Sequence, residues 1–143
     1  MEMTIKESNG SKIAEILEKI GPDSAIIKTD RDWDLRIYYS SKDENSMTIE
    51  MCSSINLDGD TLFDPLMTID LILDNEGKIH EAVPKYYMSQ TIFCTEEIYS
   101  KDNPDCWNPK LCEKSEELDK RLAEWLESIQ IQKYLTEGKI IKA

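Results

Sequence analysis

Turn-forming and acidic residues are concentrated in the segment Asn56-Leu57-Asp58-Gly59-Asp60-Thr61-Leu62-Phe63-Asp64-Pro65-Leu66-Met67. The segment lies between two runs in which apolar and polar residues alternate, the pattern of a strand with one buried face. Asp-Gly favours a tight reversal of the backbone, and proline fixes φ where the chain returns to an extended conformation. We therefore expect a turn between two strands, in which Gly59 and Pro65 set the path of the backbone.

The runs on either side of this segment predict an antiparallel meander. Upstream, the apolar residues are Met47, Ile49, Met51 and Ile55, and the polar positions between them include Thr48, Glu50, Cys52 and Ser54. Downstream, Met67, Ile69, Leu71 and Leu73 alternate with Thr68, Asp70 and Asp74. An earlier strand places Trp33, Leu35, Ile37 and Tyr39 opposite Asp34, Arg36 and Tyr38. Short turns such as Asp74-Asn75-Glu76-Gly77 join successive strands of this kind.

Three further extended segments are less regular. Residues 25–28 form a weak first strand, residues 78–83 follow the Gly77 turn, and residues 86–94 carry apolar and polar residues on both faces. Pro84 is expected to end or bend the strand before it, because proline cannot donate a hydrogen bond to a neighbouring strand.

Helices are predicted at both ends of the chain. The first carries Ile13, Ile16, Leu17 and Ile20 on one stripe, takes its N-cap from Ser8, Asn9 or Ser11, and ends at Gly21-Pro22. Residues 1–8 are expected to lie outside it. The second begins at Asn108-Pro109, follows Leu111, Leu118, Leu122, Trp125 and Ile129, and ends before Gly138. Its apolar stripe is expected to cover one face of the sheet, with partner binding as the alternative.

These elements predict one α+β domain over residues 1–143, with an ordered core at about residues 9–136. The expected architecture is an antiparallel meander sheet of four to six strands. An N-terminal helix and a long C-terminal helix pack on one face of that sheet.

The net charge of −12 disfavours binding to nucleic acid, because the average field repels phosphate groups. It favours a protein partner with a basic surface, although acidity that only maintains solubility is the alternative. No run approaches the roughly 18 to 20 apolar residues of a membrane span, and residues 1–7 lack an apolar signal region. We therefore expect a cytoplasmic protein without membrane attachment; its oligomeric state stays open.

Asp58, Asp60 and Asp64 are the candidate binding residues, since Ca²⁺ and Mg²⁺ prefer oxygen ligands gathered on a loop. Their spacing is not that of an EF-hand loop, which needs its glycine at the sixth position. The alternative is that these carboxylates accept hydrogen bonds from backbone amides of the turn. We expect no bound metal and no cofactor.

The remaining polar residues indicate no reaction. The cysteines are Cys52, Cys94, Cys106 and Cys112, and they form no Cys-x-x-Cys pair, so reduced thiols are expected. His80 has no recognisable nucleophile partner, and the glycines form no phosphate-binding loop. The aromatic residues Trp33, Tyr38, Tyr39, Tyr86, Tyr87 and Phe93 could stack nucleic-acid bases, but packing in the core and at its rim is the simpler expectation.

Together with the helix that contains Trp125, the segment from Gly59 to Met67 resembles a small uncharacterised domain family of phages, plasmids and integrative elements. Members carry a Gly-Asp-x-Met-x-Asp-Pro-x-Met turn and close with a tryptophan-bearing helix. The matching residues here are Gly59, Asp60, Asp64, Pro65 and Met67. Leu62 stands where methionine is usual, and Leu66 where an acidic residue is common. The resemblance covers roughly residues 10–135 and implies an accessory role in a mobile element, without an established reaction.

The sequence therefore favours a non-enzymatic accessory protein of a phage or other mobile element that acts through protein interaction. One form of this hypothesis is an acidic inhibitor of a host or defence protein that binds nucleic acid. Two alternatives stay open. One is a small divalent-metal-dependent hydrolase or nucleotide-binding protein that uses the Asp58, Asp60 and Asp64 turn, and the other is a structural homo-oligomer.

Overall fold

Three helices and seven strands make up the described part of the chain. In this computed structural model the described residues are 2–29, 33–57, 59–89, 94–97, 109–131 and 134–142. The helices are α1 (Ile5–Ile20), α2 (Pro109–Ile131) and α3 (Tyr134–Glu137). The strands are β1 (Ala25–Lys28), β2 (Asp34–Lys42), β3 (Ser46–Leu57), β4 (Asp60–Leu73), β5 (Ile79–Ser89), β6 (Cys94–Glu97) and β7 (Lys139–Lys142).

The strands form one antiparallel sheet in the order β6-β5-β4-β3-β2-β1-β7. The α+β class and the antiparallel meander from β1 to β6 are confirmed. The expected number of four to six strands is wrong, because β7 returns from the C-terminal end and pairs with β1. Ile141 of β7 pairs with Ile26 of β1, so the pair joins residues near the two ends of the sequence. A strand of four residues at residues 139–142 also lies beyond the expected limit of the ordered core at residue 136.

Helix α1 starts earlier than its apolar stripe predicts. Thr4 is the N-cap: its hydroxyl accepts a hydrogen bond from the Glu7 amide, and the Glu7 carboxylate accepts one from the Thr4 amide. This capping box satisfies two backbone donors that a helix N-terminus otherwise leaves free. The expected N-caps are therefore wrong, and Ser8, Asn9 and Ser11 lie inside the helix.

The apolar stripe of α1 faces the sheet as predicted, and that of α2 does so in part: Trp125 is only partly buried, Leu126 joins the stripe, and the side chain of Leu111 lies outside the described residues. On α1 the buried apolar residues are Ile13, Ile16, Leu17 and Ile20, and on α2 they are Leu118, Leu122, Leu126 and Ile129. Gly21 follows α1 with a φ of 83°, and its amide bonds to the Leu17 carbonyl. Burial of each such side chain contributes about 1.5 to 3 kcal/mol. The helices therefore join one core with the strands beneath them.

Alternation along the central strands also follows the prediction. The buried residues on the helical side include Leu35, Ile37, Ile49, Met51, Met67, Ile69 and Leu71. The register pairs Ile37 with Met51 and Met51 with Met67, so these side chains share one face of the sheet. Trp125 on α2 donates from Nε1 to the Ser53 hydroxyl at 3.2 Å, which ties the C-terminal helix to the same face.

Two prolines lie beside bulges in long strands. Cys52 pairs with Leu66 and Ser54 with Phe63, so two residues of β4, Asp64 and Pro65, oppose one residue of β3. The bulge lets β4 carry a residue without an N–H group. Pro84 lies within β5, next to a second register shift, and the strand continues to Ser89. Pro84 therefore does not end its strand.

Candidate functional site

The acidic segment is mostly strand. β3 ends at Leu57 and β4 begins at Asp60, with Gly59 between them at a φ of 89°. Asp58 lies outside the described residues. Asp60 and Asp64 both belong to β4, and Pro65 follows Asp64 at the bulge in that strand. The tight reversal is thus shorter than the sequence predicts, and pairing with β3 extends through most of the segment.

Metal ligands do not gather in the described part of the chain: no group of three or more His, Cys, Asp or Glu side chains there is placed to hold an ion. His80 is 54% exposed, with Nε2 at 3.9 Å from a Glu7 carboxylate oxygen. This contact joins β5 to the first turn of α1.

A different surface has the features of a binding site. All three described helices contribute residues to the core on one face of the sheet. The opposite face carries no helix of the described residues, and we call it the open face. From the register of β2 to β5, its central residues are Arg36, Tyr38, Glu50, Cys52, Ser54, Leu66, Thr68, Asp70, Tyr86 and Met88.

Arg36 is held at the middle of the open face by its neighbours. Its Nε donates to the Ser54 hydroxyl at 2.8 Å, and a terminal nitrogen donates to the Tyr38 hydroxyl at 3.4 Å. Ser54 is 2% exposed, whereas Arg36 and Tyr38 are half-buried. A guanidinium fixed in this way loses less side-chain freedom when a partner binds it.

Cys52 lies beside Arg36 in the register and is 1% exposed. Burial raises the pKa of its thiol to about 11, Glu50 acts in the same direction, and Arg36 opposes them. The thiol is therefore protonated at neutral pH, and a protonated buried thiol is a poor nucleophile. Cys52 is therefore a packing residue of the open face and not a nucleophile.

Two carboxylates give the open face an acidic part. Glu50 pairs with Thr68, and Thr48 pairs with Asp70, so the two acidic residues are diagonal neighbours on β3 and β4. The Thr48 hydroxyl donates to the Asp70 carboxylate at 2.8 Å. Within the described residues neither carboxylate forms a salt bridge. Both residues are half-buried.

The aromatic residues that were weighed as a stacking platform do not share one surface. Tyr38 and Tyr86 lie on the open face, whereas Tyr39 and Tyr87 face the helices. Phe93 lies outside the described residues. The Trp33 carbonyl accepts a hydrogen bond from the Tyr134 hydroxyl of α3. Division between the two faces follows directly from the alternation of side chains along a strand.

Leu66 and Met88 were missed as surface residues by reasoning from the sequence. They pair across β4 and β5 on the open face and are both half-buried. The sequence did indicate a second apolar surface in the segment from Tyr86 onward, where both faces of the strand carry apolar residues. A strand with apolar residues on both faces has a second surface to cover, either within the chain or by a partner.

Comparison with protein-family models, with curated proteins and with solved structures gave no significant match to this chain. Among the helices that the structure describes, none combines the length and the apolar composition that a bilayer crossing requires.

Proposed function

We propose that the protein is a non-enzymatic protein-interaction domain that binds a partner with a basic surface through its open face. The observation that carries this proposal is the composition of a sheet face without a described helix. Tyr38, Tyr86, Arg36 and Met88 are of the residue types enriched at protein interfaces. Strands on both sides hold these residues on a rigid scaffold, which lowers the entropic cost of binding.

Charge supports the choice of partner. The chain carries a net charge of −12, and Glu50 and Asp70 lie on the open face without a salt bridge in the described part of the chain. Complementary charge accelerates association and disfavours acidic competitors. A basic groove or patch on another protein therefore fits the part of the open face that carries Glu50 and Asp70.

We further propose that the domain is an accessory factor of a phage or other mobile element. A more specific version of this proposal, which we call the sharper form, is that the domain inhibits a host or defence protein by occupying its basic, nucleic-acid-binding surface. The support is the acidic charge together with the resemblance of the Gly59 to Met67 segment to the mobile-element family. The sharper form predicts that nucleic acid and this domain compete for one site on the partner.

Charge reversal on the open face tests the proposal. The tagged protein is used at low salt to capture a partner, and the dissociation constant is then measured with the purified partner. We expect Glu50→Lys to weaken binding about tenfold, or about 1.4 kcal/mol, because it places a cation against a basic surface. The same charge change at Glu127, which is exposed on α2, is the matched control and should leave affinity unchanged.

Salt provides a second measure in the same experiment. Between about 50 and 300 mM salt the wild-type affinity should fall, because screening weakens contacts between exposed charges. The proposal is wrong if Glu50→Lys and Glu127→Lys bind equally well, or if affinity does not change with salt.

A further inference from the structure

A cleft of about 930 Å³ lies on the helical side of the sheet, away from the open face. It runs along α1 over the ends of four successive strands, and α1 meets β5 at the Glu7–His80 contact on its lining. Its floor consists of Tyr39 on β2, Met47 on β3, Leu73 on β4 and Ile79 on β5, each only partly buried. The sheet therefore extends past α1, and part of its apolar face has no helix over it in the described part of the chain.

Helix α1 forms the wall of this cleft. The wall residues include Glu7, Ser11, Ala14 and Glu18, which follow the i, i+4, i+7, i+11 spacing of one helical stripe. Ser11 and Ala14 at its centre are small, so a second helix could approach the backbone of α1 closely. Glu18 at one end is exposed.

The dimensions match a short helix. Four neighbouring strands, about 4.8 Å apart, spread the floor residues over roughly 14 Å. At 1.5 Å per residue, a helix of about ten residues covers that distance. One apolar side chain on each successive turn would then contact the floor at a spacing close to that of the strands.

Charges of opposite sign lie on the two sides of the cleft. The α1 side carries Glu7 and Glu18, and the strand side carries Lys42 and Lys78. Lys78 is 77% exposed, with its Nζ at 3.7 Å from a Glu76 carboxylate oxygen, and Lys42 is exposed as well. A bound helix with acidic residues along one edge and basic residues along the other would match both sides.

From these observations we infer that the cleft binds an amphipathic helix of a partner protein, oriented alongside α1. Its apolar stripe packs on Met47, Leu73 and Ile79. Its acidic edge faces Lys42 and Lys78, and a basic residue faces Glu18. This site is separate from the open face, so the domain would have two independent binding surfaces.

A synthetic amphipathic peptide of about 14 residues is the probe, with leucine at every third or fourth position, glutamates along one edge and lysines along the other. Binding to the full chain is measured by fluorescence anisotropy. We expect Glu18→Lys and Lys42→Glu each to weaken binding five- to tenfold. Glu124→Lys, at an exposed position of α2, carries the same charge change as Glu18→Lys and should have no effect.

A second peptide with its two charged edges exchanged completes the test. It should bind the double variant Glu18→Lys/Lys42→Glu more tightly than it binds the wild-type protein. The inference is overturned if the peptide binds no better than a scrambled one, or if all variants bind alike. It is also overturned if dodecanoate occupies the cleft and the peptide does not, or if the chain dimerises through the cleft. Glu50→Lys should not change peptide binding, so failure here is distinguishable from failure of the open-face proposal.

Discussion

Asp119 lies between α1 and α2 and is 3% exposed. Lys6 pairs with one of its carboxylate oxygens, and the Asn9 side-chain amide donates to its backbone carbonyl at 3.1 Å. The other carboxylate oxygen meets no donor in the described part of the chain. Burial is the largest influence and raises the pKa of this carboxyl, Lys6 opposes it, and Glu116 and Glu81 reinforce it. Ionised Asp119 is therefore less favourable in the folded state than in water.

This environment predicts how stability depends on pH. A pKa that is higher in the folded state than in the unfolded state makes protonation favour folding. The stabilisation by protonation is complete below the pKa of the unfolded state, about 3.9. It is lost as pH rises through the pKa of the folded state. As pH falls from 7 toward about 4, the wild-type free energy of unfolding should therefore rise relative to that of Asp119→Asn.

Urea denaturation of both proteins across this pH range measures the difference. Other titrating groups are common to the two proteins, so their contributions largely cancel. The raised pKa of Asp119 would be contradicted if the free energy of unfolding of the wild-type protein, relative to that of Asp119→Asn, did not change with pH. It would also be contradicted if that relative stability fell as pH was lowered.

At single residues, the sequence predicted conformations that depend on local chemistry. The sequence placed a helix end at Gly21 and a turn at Gly77, and both glycines adopt a positive φ there, at 83° and 80°. Arg36 was not identified as a site residue, because its role depends on Ser54, eighteen positions away on another strand. Spacing along a chain does not show which polar side chains a sheet register brings together.

At the level of elements, α1 shows how a capping signal can be misplaced. Ser8, Asn9 and Ser11 are good N-cap residues, and they lie closer to the apolar stripe than Thr4 does. The Thr4 and Glu7 pair satisfies two backbone donors at once, so the helix gains a further turn. That turn places Glu7 beside His80 and Lys6 beside Asp119.

Removing this cap should destabilise the protein measurably. We expect Thr4→Ala to lower the free energy of unfolding by about 1 kcal/mol, because the Glu7 amide loses its acceptor. The melting temperature should fall by roughly 3 °C, as measured by circular dichroism. Thr4→Ser keeps the hydroxyl and should stay within about 0.3 kcal/mol of the wild-type value. Equal stability of the alanine and serine variants would show that the cap contributes little.

Two strands show the limits of local patterns. β7 has only four residues and pairs with β1, more than a hundred positions earlier, so no neighbouring turn indicates it. In β4, Asp64 and Pro65 suggested a turn, but a bulge opposite Ser53 keeps them in the strand. Bulges depend on the partner strand, and one strand's sequence does not contain that information.

For the molecule as a whole, the two faces of the sheet differ in role. The helical face contains the core that alternation predicted, including Ile37, Ile49 and Ile69. The alternation of the central strands predicted a polar second face, and only residues 86–94 were expected to carry apolar residues on both faces. In the structure Leu66, Met88 and Tyr86 together make the open face partly apolar. Alternation identifies which residues share a face, but the second face becomes visible only when all strands are aligned in register.

The most direct test of the open-face proposal is site-specific photo-crosslinking in the complex with the captured partner. A photoreactive phenylalanine analogue replaces Tyr38 on the open face in one protein and Glu124 on α2 in another. We predict a covalent adduct with the partner from position 38 and none from position 124. Adducts from position 124 alone would show that the partner binds the helical side, and would contradict the assignment of the open face as the binding surface.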